Sequence, residues 1–141
     1  MALSPQDREA FLAEPHIGVL SVTRADPDRG PLSVPIWYDY EPGGDLWVLT
    51  GADSAKARAI QAAGRFTLVA EEVQPSVKYV SAEGPVLSVT DATDEEHRAM
   101  VVRYLPADKV EGYLKAAEAY GPQVKITIHP DHWLSADMGT L

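Results

Sequence analysis

Residues 34–58 read V-P-I-W-Y-D-Y-E-P-G-G-D-L-W-V-L-T-G-A-D-S-A-K-A-R. Near the end of this stretch Thr50, Ser54, Lys56 and Arg58 bring hydroxyls and cations to the point where a strand pattern gives way to a helix pattern. The first amides of a helix lack intrahelical acceptors and carry partial positive charge, so a helix start attracts anions. Thr50 and Ser54 add hydroxyl donors, Lys56 adds a full charge one turn in, and Arg58 offers a second. The chemistry this suits is the binding of a phosphate group. Taken alone, the junction fits a capped helix with a solvated Lys and Arg equally well.

The residues before it are large and flat. Pro35 has no N–H, which belongs on a sheet edge or where a ladder is interrupted. A planar ligand can lie along such backbone, and Trp37, Tyr38 and Tyr40 supply ring surface. Core and hairpin packing is the competing account of these aromatics, and for Trp47 it is the preferred one. No acid, base or nucleophile stands out, Tyr38 being the one candidate proton donor, and no G-x-S-x-G, P-loop or G-x-G-x-x-G pattern occurs. His129-Pro130-Asp131-His132 offers ligand atoms, but Pro130 constrains the link and no third ligand is nearby; His16 and His97 stand alone. No metal is expected. The run D-A-T-D-E-E at 91–96 reads as a helix start and its solvated face.

The elements that must position these groups follow from capping, periodicity and turn residues. Ser4-Pro5 opens a short helix that Pro15 ends, with Phe11 and Leu12 facing the core. A strand is expected over 16–23 with Ile17, Val19 and Leu20 buried, a second over 32–40, and a third over 45–50 after a Gly-rich hairpin loop. An Ala-rich helix over 54–63 ends at Gly64. Strands over 65–72 and 77–89 follow, the latter bent or bulged at Gly84-Pro85. Thr93 caps a helix through Tyr104, a helix over 108–120 ends at Gly121-Pro122, and a last strand covers 123–129 with Trp133 just beyond. Strands joined by hairpin-length links dominate the first two-thirds. That predicts a mainly β antiparallel barrel with added helices rather than a doubly wound sheet.

The chain of 141 residues is expected to form one domain over 1–141, large enough to bury a core without staples. A net charge of -9 argues against a nucleic-acid partner. The absence of cysteine excludes disulfides, thiolate metal sites and thiol nucleophiles. No apolar run reaches the length of a membrane span and no export signal is visible, so a cytoplasmic protein is expected.

With these residues in view, the chain resembles the pyridoxamine 5'-phosphate oxidase-like superfamily of flavin- and deazaflavin-binding split β-barrels, from the N-terminal helix to Trp133. L-T-G-A-D-S-A-K is similar to the family's phosphate-binding stretch of an aromatic or aliphatic residue, Thr, a short spacer and Ser-Arg-Lys. The resemblance implies that Thr50, Ser54 and Lys56 hold a phosphate; Ala55 stands where arginine is frequent, and Arg58 is the candidate substitute. It also implies that Val34, Pro35, Ile36 and Trp37 lie beside the flavin ring. Tyr79, in K-Y-V-S-A-E-G, falls where family oxidases often place a glutamine that reaches the ring across a dimer interface, and Trp133 falls near a tryptophan that flanks the flavin.

An FMN-dependent oxidoreductase acting on a small molecule, homodimeric with two sites at the interface, is what the resemblance implies. F420 is the alternative cofactor, although its longer acidic tail asks for more cations than this chain carries. A flavin- or haem-binding module without turnover is the reading from another class; haem would need His16, His97, His129 or His132. Pyridoxamine phosphate oxidases carry an Arg-x-His substrate motif near the chain end, whereas this sequence reads S-A-D-M-G-T-L there. The resemblance therefore implies a flavin-type cofactor rather than vitamin B6 oxidation.

Overall fold

The structure is a computed structural model and describes residues 1–140. Helix α1 (Pro5–Ala13) is capped by Ser4, whose hydroxyl accepts from the Asp7 amide, and it buries Phe11 and Leu12. Strand β1 (Gly18–Val22) follows. The expected strand over 32–40 is two strands, β2 (Leu32–Ile36) and β3 (Tyr38–Tyr40), parted at Trp37. Strand β4 (Leu46–Gly51) leads into helix α2 (Ala55–Ala63), which ends at Gly64 with φ 76°, a left-handed conformation that suits glycine. Strands β5 (Arg65–Glu72) and β6 (Ser76–Asp91) precede helices α3 (Asp94–Tyr104) and α4 (Ala107–Ala117). The expected helix to Tyr120 finishes instead as a 3-10 turn over Glu118–Tyr120. Strand β7 (Gln123–Ile128) is followed by β8 (His132–Thr140), which the sequence pattern did not announce.

All the strand pairings are antiparallel, in the order β2-β1-β5-β6-β7-β4-β3, with β8 added on β6. The two ends of that path, Ile36 and Tyr38, are separated in sequence by Trp37 alone. The sheet must therefore curl until its first and last strands meet. The result is an antiparallel split β-barrel with four helices.

Strand β6 is the hinge of this curl. Its first part pairs with β5 and β8 and its last part with β7, with a register shift between Val86 and Ser88. Gly84 lies at the crossing. A Cβ there would sit 2.0 Å from the His129 carbonyl oxygen, a separation that no side chain tolerates.

The barrel interior is filled from alternate positions of each strand: Leu20 and Val22, Leu46 and Val48, Phe66 and Leu68, Val80 and Ala82, Ile126 and Ile128. Helix α2 closes one side with Ala57 and Ile60. Of the three residues expected inside from the first strand, one is buried. Leu20 is inside, but Ile17 and Val19 are 55% and 42% exposed, because Gly18, Leu20 and Val22 take the inward parity.

Candidate functional site

The junction between β4 and α2 is built as the sequence implied. Ser54 has extended backbone and its hydroxyl accepts from the Ala57 amide at 3.1 Å. Thr50, the one buried polar side chain at the end of β4, lies with its hydroxyl 2.9 Å from that of Ser54. When Thr50 donates in this pair, the Ser54 proton is left free for an outside acceptor. The amides of Ala55 and Lys56 head the helix, where no intrahelical acceptor exists. Lys56 is half-buried and makes no ion pair with any described residue. Arg58 is exposed, and its guanidinium donates to the Asp53 carbonyl of the same turn. Free amides, a free hydroxyl proton and an uncompensated ammonium together fit a phosphate.

A cleft of about 260 Å³ is lined by Pro35, Ile36 and Trp37 and by Leu49 and Gln123; none of residues 50–58 lines it, but Leu49 and Gln123 adjoin the junction in the chain and across the ladder. Val34 is turned toward the core instead. The register explains the adjacency. Leu49 immediately precedes Thr50, and Gln123 pairs with Gly51, the first residue of the turn toward Ser54. The Gln123 amide oxygen is buried and has no hydrogen-bond partner among the described residues. An orphaned polar atom at a cleft wall is the feature expected where a ligand completes the bonding.

The cleft has a fixed roof. Trp37 stacks on Tyr104 of α3 with ring centroids 4.9 Å apart, and the Tyr113 ring of α4 lies tilted against Trp37 at 5.4 Å. The Tyr104 hydroxyl donates to the carbonyl of His16 at 2.7 Å and accepts from the Tyr38 amide at 3.1 Å. Arg103 adds hydrogen bonds to the carbonyls of Tyr38, Ala13 and Glu14. Thus α3 ties the Tyr38 backbone, next to Trp37, to the end of α1 and the segment that follows it. Tyr38 itself is fully buried, with its hydroxyl donating to the Leu12 carbonyl at 2.7 Å, and burial pushes its pKa far above the usual phenol range. It packs the interior and is no proton donor to the cleft.

A larger groove of about 710 Å³ runs between α3, α4 and the start of β7, and meets the cleft at His97 and Gln123. Its walls mix Asp94, Glu111 and Glu118 with Arg98 and Lys115, and Arg98 is paired to Glu111. That balance gives it no preference for an anion, so the junction at Ser54 remains the phosphate candidate.

The structure does not bring Tyr79 or Trp133 to the cleft of the same chain. Tyr79 lies on β6 opposite Glu71 and Ala136, on the outer face of the sheet. Trp133 on β8 pairs with Ala82 and packs toward the core, under the Arg8 guanidinium at 4.6 Å and edge-on to Tyr40 at 5.9 Å. The histidines also resolve. His129 bonds Asp45 and His132 bonds Asp131, both on the surface. His16 meets Glu14 and Glu72, their ligand atoms all within 4.8 Å, a grouping that sequence spacing did not show. Its Nε2 bonds the Phe11 carbonyl at 3.0 Å, and the Lys78 ammonium lies 3.7 Å from Glu72, so the cluster is already satisfied by protein groups.

Sequence reading missed Gln123, His97 and Met100 as cleft residues. The signal for Gln123 is its pairing with Gly51, which is a tertiary fact.

Comparison with known proteins accords with this architecture. No curated protein matches the sequence. Among solved structures, a conserved hypothetical protein from Mycobacterium tuberculosis gives a TM-score of 0.69 at 20% identity, over 97% of this chain and 86% of the other. A protein named F420 reductase gives 0.69 at 23% identity, over 89% and 94%. An FAD-binding protein from Mesorhizobium loti gives 0.64 at 18% identity, over 97% and 96%. At such identities the likeness shows the fold. The sequence profile of the family described as Pyridoxamine 5'-phosphate oxidase matches residues 4–132, from the cap of α1 to the start of β8. With a matching profile over nearly its whole length and the split barrel to go with it, the chain belongs to the pyridoxamine 5'-phosphate oxidase family.

Proposed function

We propose that the protein binds FMN as the cofactor of an oxidoreductase acting on a small molecule. The observation that carries this reading is the adjacency of two half-sites. A helix start bearing Ser54 and an unpaired Lys56 stands beside a cleft walled by Pro35, Ile36 and Trp37. The first half suits a phosphate, and the second suits a flat ring against apolar walls. When bound, such a ring supplies hydride or electron transfer. The chain's own groups bind and orient it: Lys56 neutralises the phosphate, Ser54 donates to it, and the Pro35–Trp37 wall excludes water. Family membership and neighbours named for FAD and for F420 support a flavin-type ligand.

A homodimer belongs to the same reading. Across the outer face of the sheet, Pro35, Val19, Val69, Ser81 and Leu134 stand in one cross-strand row. Val19 is 42% and Leu134 64% exposed, an apolar stripe of the kind that marks an interface. Pro35 is common to this row and to the cleft, and Tyr79 lies on the same face. A second copy seated there would cover the cleft and present Tyr79 to it. The single-chain volume of about 260 Å³ falls below the usual range of ligand pockets, which supports a wall contributed by a partner.

The test is titration of the purified protein with FMN and, separately, with F420. Saturable binding of FMN with the shifted absorbance of a protein-bound oxidised flavin supports the proposal. Binding of F420 without binding of FMN would replace the cofactor while leaving the half-sites in place.

A further inference from the structure

We propose that Gln123 is the group that holds the polyol linker between the ring and the phosphate of the bound cofactor. The proposal rests on the flavin reading above. Gln123 opens β7 and pairs across the ladder with Gly51, where the chain turns toward Ser54 and Lys56. Its side chain also lines the cleft shared with Pro35, Ile36 and Trp37. It thus stands between the place that suits a ring and the place that suits a phosphate, where the connecting chain must pass.

The chemistry of the side chain agrees with that position. Its amide oxygen is buried without a partner among the described residues, and turning the amide over would leave an N–H in the same plight. A carboxamide both donates and accepts, as does every hydroxyl of a sugar alcohol. A phosphate, which only accepts, could answer the N–H alone, whereas a hydroxyl answers the amide in either orientation. The neighbouring cleft residues Ile36, Leu49 and Met100 are apolar and make no such bond. FMN and F420 both carry a ribityl linker, so the assignment holds for either.

The experiment compares wild type with Gln123→Leu by equilibrium binding of FMN, riboflavin and lumiflavin, the last having the ring without the linker. The expected result is a loss of about tenfold in affinity for FMN and for riboflavin alike, the worth of one buried hydrogen bond, with lumiflavin binding unchanged. The melting temperature of the free variant should hold or rise, since an orphaned polar atom has been removed. Equal weakening of all three flavins, or a fall in melting temperature, would overturn the proposal in favour of a ring contact or a structural role. Weakening of FMN alone would assign Gln123 to the phosphate and overturn it too. Undiminished binding of FMN by the variant overturns this proposal and leaves the flavin reading intact. A wild-type protein that binds none of the three, and no F420 either, overturns both.

Discussion

At the scale of single residues, Lys56 is half-buried without an ion pair among the described residues, whereas Arg29, Lys109 and Lys115, which also lack one, are exposed. Some other half-buried cations face a carboxylate, as Lys125 faces Glu96 at 2.7 Å and Arg103 faces Asp39 at 3.3 Å. Lys56→Ala is therefore expected to weaken FMN by about ten- to a hundredfold, the range for a hydrogen bond to a charged group, and to leave riboflavin untouched; flavin fluorescence quenching reads both. The Lys125 pair allows a second prediction. The hydrogen bond from Lys125, with the Thr93 amide behind it, holds the Glu96 carboxyl below its ordinary range. A lowered folded pKa gives stability that is complete above the unfolded value and is lost as pH falls through the folded one. Glu96→Gln keeps the capping geometry with Thr93. In urea melts it should cost about 0.5–1 kcal/mol at neutral pH, with the difference from wild type closing below about pH 4. Thr50, Ser54, Lys56 and the Pro35–Trp37 run were legible in sequence because strand-to-helix chemistry is local. Gln123 was not, because a lone Gln after Gly121-Pro122 signals nothing until its partner strand is known.

At the scale of elements, one conformational demand governs the barrel. Strand β6 changes partners next to Gly84, whose missing side chain lets the backbone of His129 approach. Gly84→Ala places a methyl against backbone rather than against a yielding side chain. The expected loss is about 3 kcal/mol, the upper end for overpacking, read as a lowered urea midpoint, and soluble protein of unchanged stability would count against it. The sequence flagged Gly84-Pro85 as a bend, and the bulge follows just after it. Other features escaped for physical reasons. H-I-G-V-L-S-V-T is apolar at both parities, so alternation alone cannot say which face is inside; Phe66 and Leu68 of β5 decide it. At the break, Trp37 packs against Tyr104 and Tyr113 from helices far along the chain, contacts that no local pattern announces. Strand β8, H-W-L-S-A-D-M-G-T, has weak strand propensity and exists by pairing with β6.

At the scale of the whole molecule, a sheet whose two ends meet at Trp37 leaves an apolar outer row from Pro35 to Leu134 and a cleft that opens beside it. A second copy is the occupant proposed for both. Val19→Asp, at an exposed position outside the core, should leave the fold cooperative while shifting the protein from dimer to monomer in sedimentation, with a parallel loss of flavin affinity. A variant that stays dimeric would remove this face from the interface. Among the described residues no helix is long and apolar enough to cross a membrane. In the proposed complex the ring lies along Pro35, Ile36 and Trp37 and the phosphate sits at Ser54 and Lys56. The most direct measurement is an experimental structure of the protein crystallised with FMN. Phosphate density is expected within hydrogen-bonding distance of the Ser54 hydroxyl and the Lys56 ammonium, with the ring against the Pro35–Trp37 wall; a flavin bound elsewhere, or a phosphate held by other residues, would refute that placement.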